Sequence, residues 1–263
     1  MASLHGPLPY LLLFAAAFAA GAINSVAGGG SLLSFPALLA FGLPSIPASV
    51  TNTVALWPGY IGGSVSYRRE MAGQRRWLRA LWPPAVMGAL AGSWILLATP
   101  QQAFDAIVPF LILGACALMA VQDRLAAVVA RHHPPPAGED ARVPPLLWAA
   151  TFALGVYGAY FGAALGIMLL AALGVLLPDD IQRSNALKGV LSLVINAVAV
   201  LYYALLGPVA WLPALAMAIG AIAGGYLGAS AARRMGRLWL RRVVVTYGVV
   251  VAAVLVARLL SGG

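Results

Sequence analysis

Three consecutive glycines, Gly28, Gly29 and Gly30, interrupt an apolar run and are flanked by Asn24, Ser25 and Ser31. Glycine lets a backbone leave its helix, which frees N–H groups, and amide and hydroxyl side chains beside it add hydrogen-bonding capacity. A polar pair, Thr51-Asn52, follows across Gly42-Leu43-Pro44 and recurs as Ser184-Asn185, with Lys188, the only lysine of the chain, three residues on and Tyr160 upstream. Groups of this kind bind rather than make or break covalent bonds. Helix N-termini directed at such a place, with amides, hydroxyls and an ammonium around them, suit a small anion. The inventory for catalysis is missing. The three histidines, His5, His132 and His133, lie outside the apolar segments, and neither HExxH nor GxSxG occurs. The GGGS run lacks the lysine of a nucleotide loop, and the single cysteine, Cys116, leaves no intrachain disulfide or cysteine metal cluster. No catalytic residue, metal site or cofactor is expected.

The elements that must hold these residues are membrane helices. Of the 263 residues, 62% are hydrophobic and 9% charged, and the mean hydropathy is +0.91, values of a polytopic membrane protein. A crossing of about 30 Å takes roughly 20 apolar residues. Such runs occur at 9–27, 46–67, 80–98 and 103–122, then at 146–163, 184–206, 209–232 and 240–260, with shorter apolar pieces at 31–43 and 164–177. The first run is read as a retained helix, since no Lys or Arg precedes it as in a signal peptide. Between the halves, 123–145 carries three adjacent prolines and mixed charge and reads as a linker. The expected domains are an N-terminal transmembrane repeat (1–122), a cytoplasmic linker (123–145) and a C-terminal transmembrane repeat (146–263).

The halves match. Pro44 pairs with Pro178 at an offset of 134, Thr51-Asn52-Thr53 with Ser184-Asn185-Ala186 at 133, and GALAG at 88–92 with GAIAG at 220–224 at 132. Gly21 and Gly155 form a fourth pair, and the slow drift suggests duplication. The net charge of +9 comes from 16 basic against 7 acidic residues, and ten of the basic ones fall in 68–79 and 233–242. Clustering of that kind reads as topology and not as nucleic-acid binding. One basic window follows the second long run of its half and the other follows the third. If both windows are cytoplasmic, the N-terminus is outside, the linker inside, and the halves are inverted. An odd number of crossings per half then makes 9–44 and 146–177 hairpins, bent at Gly28 to Gly30 and near Gly158 to Gly166. The fold class expected is all-α and polytopic, an inverted repeat of about eight main membrane elements.

Segment 21–60, GAINSVAGGGSLLSFPALLAFGLPSIPASVTNTVALWPGY, resembles the first-repeat signature of the sulfite exporter TauE/SafE family, also called the toluene-sulfonate uptake permease family. Segment 162–200, GAALGIMLLAALGVLLPDDIQRSNALKGVLSLVINAVAV, is similar to its second. The resemblance covers nearly the whole chain. It implies a permease of two related halves, not an enzyme, moving sulfite, sulfonates, other organosulfur compounds or short carboxylates. A multi-pass location follows, in the inner membrane for a Gram-negative cell. Asn24, Ser25, Gly28, Gly29, Gly30, Ser31, Thr51, Asn52, Tyr160, Ser184, Asn185 and Lys188 are the candidate substrate-binding residues, with Thr51-Asn52 and Ser184-Asn185 closing one cavity from two sides.

Plainer readings stand beside these. The row Gly158, Gly162, Gly166, spaced by four, reads as a helix-packing stripe, as do GALAG and GAIAG. Lys188 either faces the site or snorkels to the cytoplasmic surface. Arg183 reads as a water-facing partner of Asp179 and Asp180, and Asp105 as a first-turn acid favoured by the helix dipole. Trp57, Trp82, Trp94, Trp148, Trp211 and Trp239 read as an interfacial belt. An exporting anion needs no pump in a cell negative inside, and the deep segments hold almost no carboxylate to carry a proton, so potential-driven export is favoured. The alternatives are H⁺- or Na⁺-coupled uptake of organic anions and a non-transporting assembly or scaffold protein; a cation channel would need a ring of acids or a carbonyl filter, neither of which occurs. Small-anion substrate and lipid bilayer are the expected partners, nucleic acid is not, and homo-oligomerisation is left open.

Overall fold

The computed structural model describes residues 6–26, 29–66, 74–132, 143–177, 181–228 and 237–261. Among them the protein is all-α, with no strand, and forms ten α-helices: α1 (Pro7–Val26), α2 (Ser31–Ala40), α3 (Ser45–Ser66), α4 (Arg75–Ala98), α5 (Gln101–His132), α6 (Pro145–Tyr160), α7 (Leu165–Leu176), α8 (Ile181–Leu206), α9 (Trp211–Ala223) and α10 (Arg237–Leu260). A π-helical turn, Gly224–Gly228, prolongs α9. Six helices among the described residues are long and apolar enough to cross a membrane. The protein is thus a polytopic all-α membrane protein.

The apolar runs and these helices agree closely, with two departures. Helix α5 runs to His132, well past Asp123 where the linker was expected to start, because LAAVVA at 125–130 prolongs its helix-forming pattern. Residues 133–142, which hold the three prolines, lie outside the described residues. Pro36, a residue type that ordinarily breaks a helix, sits inside continuous α2. It removes one backbone donor without ending that short, buried helix.

Close contacts fix the relative directions of the helices. A Cβ built on Gly220 would lie 2.4 Å from the Phe14 carbonyl oxygen, and one on Gly224 would lie 1.9 Å from that of Phe18, so α1 and α9 run parallel with backbones touching. A Cβ on Gly88 would meet the Phe152 oxygen at 2.2 Å and one on Gly92 the Val156 oxygen at 2.1 Å, so α4 and α6 do the same. GAIAG and GALAG are therefore helix-crossing glycines. The pair α3 and α8 is antiparallel: Trp57 Nε1 donates to the Leu193 carbonyl at 3.5 Å, while Val50 lies against Gly207. Likewise α5 and α10 are antiparallel, with Cys116 beside Gly248 and Arg241 paired to Asp123 at 2.6 Å. Exchanging α1 with α6, α3 with α8, α4 with α9 and α5 with α10 maps these four packings onto one another.

Trp57, half-buried in mid-α3, thus bonds to α8 in place of joining an interfacial belt, whereas Trp82, Trp94, Trp148, Trp211 and Trp239 are exposed, as lipid-facing anchors must be. Asp105 is also more than a dipole partner: one turn further in than expected, it accepts from Ser45 Oγ at 2.5 Å and from Gln101 Nε2 at 3.0 Å, tying the start of α3 to that of α5.

Candidate functional site: two breaks among the helices

The first break lies between α1 and α2. Gly29 has φ +82°, open to glycine at no steric cost, and a Cβ on Gly30 would lie 2.3 Å from the Ala20 carbonyl oxygen. The chain has thus turned back on α1. Turning back strands backbone donors, each costing several kcal/mol if left unpaired in hydrocarbon. The protein supplies side chains instead: Gly30 N–H donates to Asn24 Oδ1 at 2.7 Å. Ser34, one turn into α2, donates to Asn52 Oδ1 on α3 at 2.6 Å and also lies 3.3 Å from the Gly30 carbonyl oxygen. The network Asn24–Gly30–Ser34–Asn52 thus joins three helices around the break, and both Ser34 and Asn52 are buried.

The second break lies between α6 and α7. Gly162 takes φ +73° and Ala164 φ +61°, and Tyr157 Oη donates to the Ala163 carbonyl at 2.7 Å. Tyr203, fully buried on α8, donates to the Ala159 carbonyl at 2.6 Å. An L-residue in the left-handed region costs about 1 kcal/mol relative to glycine. Ala164→Gly is accordingly expected to raise the midpoint of thermal unfolding in detergent; an unchanged or lower midpoint would show that the position is unstrained. The row Gly158, Gly162, Gly166 is no stripe on one helix, since α6 ends at Tyr160 and Gly162 is part of the turn.

The two breaks are staggered across the interior. A Cβ on Gly29 would lie 2.8 Å from Met119 Sδ, whereas Tyr160 packs edge-on against Phe104 at 5.5 Å between centroids. Those partners are 15 residues apart on α5, about 22 Å at the helical rise. Between the breaks Phe35 of α2 meets Phe161 edge-on at 5.6 Å.

The predicted residues fall into two groups. Asn24, Gly29, Gly30 and Asn52 meet at the first break, with Ser31 opening α2. Ser25 is helical in backbone, and Gly28 lies outside the described residues. Ser184, Asn185 and Lys188 share one face of α8, where Lys188 Nζ donates to Asn185 Oδ1 at 2.7 Å. The Lys188 stem reaches toward the second hairpin, with its Cδ 3.9 Å from a Cβ built on Gly166. Ser184 is fully buried, and its Oγ has no partner among the described residues. Tyr160 stands at the second break.

These groups do not close one cavity. Thr51 Oγ1 accepts from the Ala210 N–H at 3.0 Å, beyond the far end of α8, while Ser184 lies in the first turn of that helix. Twenty-two residues of α8 follow Ser184, about 33 Å of helix. Because α3 and α8 are antiparallel, residues matched by sequence offset lie toward opposite ends of the molecule. Thr51 caps the turn before α9, and Thr53 donates to the Ser49 carbonyl within its own helix. Ser34 and Tyr203 were not foreseen. A polar residue four positions after Gly30 in an apolar segment was the signal for Ser34; Tyr203 left none.

Fold and site together define a polytopic all-α membrane protein with two helical hairpins that turn back within the helix packing, beside polar side chains. The chain belongs to the sulfite exporter TauE/SafE family, whose model matches residues 13–255. A probable membrane transporter protein of Haemophilus influenzae is 27% identical over 253 residues, 93% of each chain. The probable membrane transporter protein ORF9 of Sinorhizobium sp is 27% identical over 250 residues, 93% of this chain and 91% of that one. The probable membrane transporter protein YfcA of Escherichia coli is 26% identical over 259 residues, 97% of this chain and 90% of that one. No solved structure matches.

Proposed function

We propose that the protein is a permease that moves small anions, sulfite, sulfonates or related organosulfur anions, out of the cell through the interior between its two broken hairpins. The observation that carries this reading is the first break. An unwound backbone deep in an apolar chain is held by Asn24, Ser34 and Asn52, and irregular backbone at membrane depth is tolerated where it lines a path or is buried in protein. Membership of the family and the printed names of the relatives point the same way. Two inverted halves, 1–122 and 146–263, are supported by the exchange relation among the helix packings. A shared side for 233–242 and the end of α5 that leads into the linker is supported by Arg241 on Asp123, and the positive charge of both 68–79 and 233–242 favours the cytoplasmic side for them. In a Gram-negative cell this is the inner membrane.

Export is driven by the membrane potential alone. An elementary charge gains about 2.3 kcal/mol per 100 mV, so a uniported monoanion reaches about a 50-fold concentration ratio at that potential. Proteoliposomes loaded with labelled sulfite, under an imposed potassium diffusion potential, are expected to show this ratio. Flux that ignores the potential and appears only with an H⁺ or Na⁺ gradient would replace the uniporter by a coupled carrier. Absence of flux for every anion tried would favour a scaffold protein.

A further inference from the structure

Helix α7 starts among the buried residues Ala163, Ala164 and Leu165 without a cap. Its N-cap residue, Ala164, has no polar side chain to bond the first turn, whereas at the first break Asn24 Oδ1 takes the Gly30 N–H. The Leu165 N–H reaches the Gly162 carbonyl at 3.2 Å, and those of Ile167 and Met168 share the Ala164 carbonyl. The Gly166 N–H has no backbone acceptor among the described residues. Free donors of this kind give a helix N-terminus about half an elementary positive charge.

The side chain turned toward these donors is Ser192 of α8. Lys188, Ser192 and Ile195 stand at i, i+4 and i+7 and share one face of that helix. The outer two both meet the second hairpin: Lys188 Cδ lies 3.9 Å from a Cβ built on Gly166, and Ile195 Cγ2 lies 2.9 Å from one built on Gly158, which also meets Leu165. Ser192 lies between them, about 6 Å along α8 from Lys188 and about 4.5 Å from Ile195, and so faces the start of α7. It is 8% exposed, and its hydroxyl has no partner among the described residues. Thr53 and Thr151 instead donate to the carbonyl four residues earlier, the usual way a helix hides a hydroxyl. There is also room beside the donor. Gly166 is half-buried, and a methyl added to it meets only the Lys188 stem, so neither φ nor crowding requires a glycine where alanine would favour the helix.

We infer that the Gly166 N–H and the Ser192 hydroxyl form a binding subsite at the N-terminus of α7 for an oxygen of a sulfonate or sulfite group. The inference rests on the permease reading for the ligand it names. The free N–H and the helix dipole favour negative charge. The hydroxyl, left unpaired at a cost to the empty fold, adds a hydrogen bond to a charged acceptor, which is the strong kind. Both donors are neutral, so the subsite holds an anion through oriented dipoles, and the missing Cβ of Gly166 leaves its N–H open to approach.

The test reads the unfolding midpoint of the full chain in detergent as sodium methanesulfonate replaces sodium chloride at equal ionic strength, since a ligand of the folded state raises the midpoint by mass action. The wild type is expected to shift upward. Without ligand, Ser192→Ala and Gly166→Ala are expected to be at least as stable as wild type, because one removes a buried unpaired hydroxyl and the other replaces a helical glycine where there is room. Each is nevertheless expected to need about tenfold more methanesulfonate for the same shift, and to raise the KM for its flux in proteoliposomes by a similar factor. A shift kept in full by either variant would make the unpaired hydroxyl or the glycine a matter of packing or buried water and overturn the inference. No shift in the wild type would overturn it as well, and vesicle flux then tells whether the permease reading falls with it. A shift that depends on Ser192 and Gly166, in a protein that moves no anion in vesicles, would keep the subsite and remove the permease reading.

Discussion

Gly224→Ala and Gly92→Ala are expected to remove most of the folded protein recoverable in detergent, whereas Gly114→Ala leaves it unchanged. The new methyl would lie 1.9 Å from the Phe18 carbonyl oxygen in the first case and 2.1 Å from that of Val156 in the second. Carbon and carbonyl oxygen in contact sit about 3.3 Å apart, so the helices would have to part by more than about 1 Å. The obstructing atoms are backbone and cannot rotate away. Overpacking of a core costs about 1–3 kcal/mol even where side chains can yield, against a total stability of about 5–15 kcal/mol. These glycines also seat α9 on α1 and α4 on α6, so the loss spreads along whole helix pairs. Gly114 has nothing within 4 Å of its added methyl, and alanine favours the helix there. Size-exclusion recovery and thermal unfolding check the comparison; Gly224→Ala as stable as Gly114→Ala would mean that α1 and α9 are not in backbone contact.

The same contacts mark what a reader of the sequence can and cannot see. Apolar length places nearly every helix, because crossing a bilayer demands it, and GALAG and GAIAG announce close packing through residue size alone. Gly28 to Gly30 announce a break because glycine is what a turned-back chain needs, as the φ of Gly29 bears out. Partnership is another matter. That Ser34 reaches Asn52, or that Tyr203 reaches Ala159, depends on the register between helices distant in sequence. Pairing Thr51-Asn52 with Ser184-Asn185 across one cavity failed for a geometric reason. Positions matched by a constant offset on antiparallel helices coincide only near the crossing, here close to Trp57 and Leu193, and diverge with every turn away from it. A sequence offset shows which residues match in type, but matched residues are neighbours only at the crossing.

Asn24→Ala is expected to cost more in transport than in folding, and the structure explains both parts. Asn24 Oδ1 is the acceptor for Gly30 N–H, the donor that starts the return helix α2. Truncation leaves that N–H unpaired in the interior, a loss of about 1–3 kcal/mol, which the fold as a whole can absorb. The local geometry cannot absorb it so easily. Gly30 is already pressed against the Ala20 carbonyl, and its own carbonyl lies beside Ser34, which holds Asn52. Freeing the N–H therefore lets the tip of the hairpin shift and takes Ser34 with it, so turnover per folded molecule is expected to fall at least about tenfold. Asn24→Asp separates geometry from charge. Its carboxylate accepts the same hydrogen bond, so the hairpin tip is held although the partly buried charge lowers the unfolding midpoint. The negative charge repels an anion in the interior, and flux per folded molecule is lost as in the alanine variant. Sulfite flux per folded protein in vesicles, read beside the unfolding midpoint, decides the matter. Wild-type flux in Asn24→Asp would show that no anion passes near the first break, and flux falling only in step with the folded amount in Asn24→Ala would make the break a turn and nothing more.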